Sequence, residues 1–174
     1  MNNPREYLEQ VRRQLRVILL GPGEGEPGDF DHLRKRREIR GRLLDMGYSN
    51  TVLGEDILGD ASSFPLHMAL LDAINPDDLI LVLEAGAAPL VELAVISPNL
   101  SLRDSTIVFC RREHVTGRRT TPGDLIRTFH YVAFSDDELT SCELTEEFVT
   151  AANRTSLDRA QRAGAFPWLG FSPE

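Results

Sequence analysis

The chain reads as a doubly wound α/β protein, with a mostly parallel five-stranded sheet and helices on both faces. Two observations predict this. Short continuous apolar runs, "RVILL" (16–20), "LILVL" (79–83) and "STIVFC" (105–110), have the character of strands buried on both faces. Segments of helical periodicity separate them, and such alternation builds a parallel sheet with right-handed crossovers.

In chain order, "PREYLEQVRRQ" (4–14) is a leading helix with Pro4 at its first position, and "RVILL" is the first strand. A glycine-proline loop, Gly21 to Asp29, leads to a helix over Asp31 to Met46. There Leu33, Ile39, Leu43 and Met46 recur at helical spacing, and Gly47 is the stop. "NTVLGED" (50–56) is a second strand, and "SFPLHMALLDAI" (63–74) a helix broken by "NPDD". "LILVL" is the third strand. "PLVELAVIS" (89–97) is a helix begun by Pro89, and "STIVFC" the fourth strand. "RREHVTGRRTTPG" is a polar loop, "DLIRTF" a helical turn and "HYVAF" (130–134) the last strand. Ser135 to Glu138 has a capping-box spacing and opens a helical region reaching about Ala163. The tail carries apolar anchors. One domain over 1–174 is expected: the leading helix, an α/β body over 15–134 and a C-terminal helical region over 135–174.

The 174 residues carry 19 basic and 27 acidic side chains, a net charge of -8. That balance argues against nonspecific binding to nucleic acid or to an anionic membrane, which needs a basic field. No apolar run approaches the roughly 18 residues of a membrane span, and the N-terminus lacks a signal-peptide pattern. A cytoplasmic location is the default expectation. The two cysteines, Cys110 and Cys142, form no CxxC motif, and Cys110 reads as a buried small hydrophobe. The four histidines show no metal-ligand spacing, so no metal site and no cofactor are called for.

In a sheet of this kind ligands bind beyond the carboxyl ends of the strands, so those loops carry the functional reading. Gly23, Gly25 and Gly28 satisfy GxGxxG between a strand and a helix. However, Glu24, Glu26 and Asp29 would repel a pyrophosphate, and Pro22 and Pro27 remove two N–H donors. The P-loop lysine is absent. The loop is then either a plain connection or a cover over a ligand. The following helix carries Arg34, Lys35, Arg36, Arg37, Arg40 and Arg42, read as a solvated basic face or a partner patch. The acidic C-terminal region, Asp136 to Glu147, offers it a partner within the chain or across a homo-oligomer. Glu55, Asp56 and Asp60 follow the second strand, where a carboxylate can hold a ribose hydroxyl.

After the third strand, Gly86, Ala87 and Ala88 permit close backbone approach, and a helix start behind them suits an anion or a sugar edge. Glu92 stands on that helix beside Val91 and Val95. It is either an exposed helical glutamate or a partly desolvated carboxylate fit for catalysis. Arg111, Arg112 and His114 close the fourth strand and could receive an anion.

"RVILLGPG", "RKRREIRGRLLDMGY" and "INPDDLILVLEAGAAPLVELAVI" together resemble the nucleoside 2-deoxyribosyltransferase family and its distant TIR-like relatives. The resemblance covers roughly residues 15 to 112 and is one of element order and spacing. It implies a flavodoxin- or Rossmann-like fold and an enzyme acting on an N-glycosidic bond, as hydrolase or ribosyltransferase. Its substrate would be a nucleoside, nucleotide or NAD-like molecule. Glu92 matches the family's glutamate, which attacks or stabilises the anomeric carbon, and Gly86 matches the loop glycine. The loop to Glu92 is longer than the family's, and Glu84 stands at its mouth in place of a serine. The expected binding set is Gly21, Gly23, Gly25, Asp56, Glu84, Gly86, Ala87 and Arg111. Tyr48, Phe30 and Phe64 are the aromatic candidates for stacking on a base. The alternative is a non-catalytic nucleotide-sensing or protein-interaction module of the same fold.

Overall fold

The computed structural model describes residues 4–22, 30–58, 72–84, 87–116 and 120–163. Five strands form one sheet: β1 (Val17–Leu20), β2 (Thr51–Leu53), β3 (Leu79–Leu83), β4 (Thr106–Arg111) and β5 (His130–Phe134). Their order is β2-β1-β3-β4-β5, and each neighbouring pair is parallel. The protein is therefore a doubly wound α/β fold with flavodoxin-like strand order. In β1, Val17 stands opposite Thr51 on one side and Leu79 on the other. The chain moves outward from β1 to β2, then crosses back to β3 and proceeds the other way. The crevice between the carboxyl ends of β1 and β3 is thus the topological switch point.

The helices among the described residues are α1 (Pro4–Gln14), α2 (Phe30–Asp45), α3 (Gly54–Leu58), α4 (Ala87–Ile96), α5 (Leu100–Asp104), α6 (Arg112–Thr116), α7 (Thr121–Ile126), α8 (Asp136–Leu139) and α9 (Cys142–Arg162). Successive strand residues point to opposite faces, so each apolar run feeds two cores. On one face Val17, Leu19, Leu81 and Phe109 pack with Ile39 and Leu43 of α2 and Phe148 and Val149 of α9. On the other, Ile18, Leu20, Val82 and Val108 pack with Leu93 and Ile96 of α4 and Ile126 of α7. Each large side chain so buried contributes about 1.5–3 kcal/mol relative to exposure. Among the described residues no helix is long and apolar enough to cross a membrane.

Two predicted boundary signals have the expected geometry. Gly47, at φ +93°, ends α2 in a paired turn: its N–H reaches Leu44 O at 3.0 Å and the Tyr48 N–H reaches Leu43 O at 3.0 Å. Ser135 and Glu138 form the reciprocal capping box at the start of α8.

The structure also corrects several expectations. The second strand stops at Leu53, and Gly54 to Asp56 already belong to a helical turn. The polar loop after β4 contains α6 and the start of α7, where the Thr120 hydroxyl caps the helix by accepting from the Gly123 N–H. The C-terminal helical region is two helices, α8 and α9, the second capped by Ser141. The helix over 63–74 falls mostly outside the described residues, with Asp72 and Ala73 helical.

The basic face of α2 is not uniformly solvated. Lys35 and Arg36 are buried, as is His32, and they share the inward stripe with Ile39 and Leu43. Lys35 Nζ donates to Ser141 O at 2.7 Å, to Glu38 at 2.8 Å and to the Thr145 hydroxyl at 3.2 Å, fastening α2 to the start of α9. Arg42 pairs with Glu146 at 2.8 Å, so the basic helix meets the acidic region within one chain. Tyr48 lies wholly inside the core, its hydroxyl donating to Asn153 at 2.9 Å, and it offers no face for stacking on a base.

Candidate functional site

The carboxyl edge of the sheet is built from short segments that follow each strand. At β1, the Arg36 guanidinium reaches under the strand end from α2. Its two terminal nitrogens donate to Leu19 O at 3.1 Å, Gly21 O at 3.3 Å, Pro22 O at 2.6 Å and Glu55 Oε2 at 2.6 Å. At 1% exposure Arg36 is a buried cation, and these carbonyls with Glu55 are what make its burial tolerable. Gly21, at φ +152°, leaves room for it: a Cβ there would lie 2.8 Å from Arg36 Cδ and 3.0 Å from Leu83 O. The missing side chain at Gly21 is accounted for by this packing.

At β2, Asp56 accepts from the Leu53 N–H at 3.0 Å and lies 3.4 Å from Arg40. Its carboxylate organises the turn after the strand. At β4, Arg111 occupies the last strand position with Nε 3.3 Å from Asp136, an ion pair that draws it toward the β5 side. Arg112 stands 3.6 Å from Glu138 on the same side.

At β3, Glu84 continues the ladder by one bond, its N–H reaching Phe109 O at 2.8 Å. Its side chain is 1% exposed, and a carboxylate oxygen lies 2.8 Å from Nδ1 of His114. An ionised carboxylate only accepts, so with Glu84 ionised the shared proton belongs to Nδ1 of the imidazole. Cys110 lies buried nearby, and its thiol is pushed up to about 12, by burial first and by the Glu84 charge second.

Glu92 is 9% exposed. It belongs to the inward stripe of α4, with Pro89, Leu93 and Ile96, at positions i, i+3, i+4 and i+7 of that stripe. The stripe differs from the expected one: Val91 is exposed and Leu90 is half-buried. Helical side chains lean toward the helix N-terminus, so Glu92 inclines toward the strand-end side of the sheet. Gly23, Gly25 and Gly86 lie outside the described residues, and Ala87 is the first residue of α4.

The structure thus sets Gly21, Arg36 and Glu55 on one side of the switch point and Glu84 with His114 on the other. Asp56 and Arg111 are engaged away from it. The sequence offers His114 only as part of an anion-binding strand end, not as a partner of Glu84, and Arg36 only as one of six basic residues on a helix. Arg36 does sit at i, i+3 and i+7 spacing with Ile39 and Leu43, which was its one signal. His114 pairs with a residue 30 positions away, which no local pattern reveals.

A groove of about 500 Å³ opens at the other edge of the sheet, where β3 to β5 begin, beside α9. Four carboxylates, Asp78, Asp104, Glu147 and Asp158, and three arginines of α9, Arg154, Arg159 and Arg162, line it, so it carries both signs and selects no single ligand class. Asp78, which leads β3, is part of the scaffold there: it accepts from the Asn75 N–H at 2.8 Å and meets Arg16 at 3.4 Å. Among the described residues no group of three or more His, Cys, Asp or Glu side chains converges as a metal site.

The fold and site together define a doubly wound α/β protein with carboxylates buried at its ligand edge. No family model matches the chain, and no curated protein matches it.

Proposed function

We propose that the protein acts on an N-glycosidic bond of a nucleoside, nucleotide or NAD-like molecule, with Glu92 as the catalytic carboxylate. The observation that carries this reading is the burial of Glu92 to 9% on the helix that follows β3. Ordinary helical glutamates face water, because an ionised carboxylate is costly to bury. A carboxylate held in this way stabilises positive charge strongly, since water screens it little. Cleavage of an N-glycosidic bond develops that charge at the anomeric carbon, as in glycoside hydrolysis. The resemblance of residues 15 to 112 to ribosyl-transferring proteins supports the same reading.

In this scheme the sugar lies over the β1/β3 switch point, and Glu92 either stabilises the cation or forms a transient ribosyl ester. Gly21 and the Glu84–His114 pair border the sugar. Chromatography of free base released from a panel of nucleosides, nucleotides and NAD tests the reading. Glu92→Gln is expected to lower release at least ~100-fold, the size of a typical electrostatic contribution to catalysis. Equal release by the two proteins removes Glu92 from the chemistry.

A second reading, a non-catalytic nucleotide-sensing module, is favoured by the internal engagement of Asp56 and Arg111. Calorimetry that detects nucleotide binding without turnover would support it.

A further inference from the structure

We infer that His114, held by the buried carboxylate of Glu84, is the proton-transfer group of the site. This rests on the Glu92 reading and adds to it a second catalytic residue with a different task.

The arrangement is a carboxylate behind an imidazole. Glu84 is 1% exposed, and the His114 side chain in front of it is 32% exposed. Nδ1 is committed to Glu84 at 2.8 Å. Nε2 is left for exchange, with the exposed Glu113 3.7 Å away on the same helix. An imidazole fixed at one nitrogen by a buried carboxylate has its tautomer and orientation set, which is the condition for general acid–base work at the other nitrogen.

Position supports the assignment. Glu84 is the first residue after β3 and His114 lies in the first turn after β4, so both belong to the ligand edge. The His114 helix α6 and the Glu92 helix α4 each pack against α7. That packing is close: a Cβ on Gly123 of α7 would come within 2.2 Å of His114 O.

The chemistry balances. As the C1′–N bond breaks, its electron pair goes to the base nitrogen, which takes the Nε2 proton from the imidazolium of His114. Glu92 meets the positive charge left at C1′. Water then attacks C1′ and gives its proton to Nε2, which restores the imidazolium. The net change consumes one water and releases the base with its hydrogen and the free sugar.

Leaving-group dependence tests this. Wild type, Glu92→Gln, His114→Gln and Glu84→Gln are compared on adenosine, inosine, uridine and their 2′-deoxy forms, and on p-nitrophenyl β-D-ribofuranoside. The nitrophenolate departs without a proton, whereas an ordinary base needs one. His114→Gln is expected to lose ~100-fold or more on the best nucleoside but only several-fold on the nitrophenyl riboside, matching the usual general-acid contribution. Glu84→Gln, isosteric and with His114 in place, is the second variant and shows the same imbalance to a smaller degree. Glu92→Gln loses similar factors on both substrates. Equal losses on both substrates in the His114 and Glu84 variants overturn the proton-transfer role and leave Glu92 standing. If wild type cleaves none of these substrates and none of the nucleotides or NAD of the wider panel, the Glu92 reading falls and this inference falls with it.

Discussion

Arg36 and Glu55 meet at 2.6 Å across the carboxyl end of β1, the cation 1% exposed and the carboxylate 37%. The same guanidinium holds three main-chain carbonyls, from Leu19, Gly21 and Pro22. The strand end beside the candidate site is therefore set by a side chain from α2. Arg36→Met keeps the volume and removes every one of these bonds. It is expected to destabilise the protein by about 3 kcal/mol, the low end for a broken buried pair because Glu55 retains contact with water. Glu55→Gln keeps a neutral acceptor and should cost about 1 kcal/mol. Urea unfolding of the three proteins measures both.

Gly21 and Gly41 should respond oppositely to alanine. At Gly21 the new Cβ meets Arg36 Cδ and Leu83 O, and the backbone has φ +152°. Gly21→Ala is expected to lose roughly 1–3 kcal/mol from backbone strain and displacement of Arg36. Gly41 lies inside α2 with nothing within 4 Å of a built Cβ. Gly41→Ala should gain up to about 1 kcal/mol from helix propensity. Thermal melts of both variants check the contrast.

Lys35 ties stability to acid. Burial pushes the Glu38 carboxyl up, but hydrogen bonds from Lys35 and Thr145 and the Lys35 charge outweigh it and hold Glu38 below its ordinary 4.5. The stabilisation is fully present above that value and is lost as pH falls through the lower, folded value. Lys35→Met removes the ammonium donor from the Ser141 carbonyl and leaves Glu38 with only the Thr145 hydroxyl, and should cost about 1–3 kcal/mol at pH 7. The variant's stability should also fall less steeply below pH 4.5, which a series of denaturation curves from pH 6 to pH 3 reads directly.

The two thiols should differ sharply in reactivity. Cys110 is buried with its thiol raised to about 12, while Cys142 is exposed at the start of α9. The thiolate is the reactive form, so Cys110 is protected by both access and protonation. At pH 8, a chromogenic disulfide reagent should modify one thiol per native chain and two after denaturation. Cys142→Ser should abolish the native reaction.

Much of the architecture was legible because it rests on local signals. The runs "LILVL" and "HYVAF" are strands over the expected residues, and Gly47 and Ser135 stop and start helices where their chemistry requires. The losses share one cause, which is burial of polar side chains by partners distant in sequence. Arg36 looked like one of six basic residues until the carbonyls of β1 and Glu55 closed around it. Lys35 depends on Ser141 and Thr145, more than 100 positions away. Glu92 was placed beside Val91 and Val95, but α4 turns its Pro89 and Ile96 side inward and takes Glu92 with it. The helices α6 and α7 were hidden in a polar stretch because five- and six-residue helices have too few turns to show a period.

Titration calorimetry with an iminoribitol, a cationic mimic of the ribosyl transition state, tests the central claim most directly. Such mimics bind far more tightly than substrates wherever the site is built for the developing charge. Wild type is predicted to bind it at least ~100-fold more tightly than the corresponding ribose, and Glu92→Gln to lose most of that preference. Equal affinity of wild type for the mimic and for ribose, or a preference unchanged in Glu92→Gln, would contradict the account.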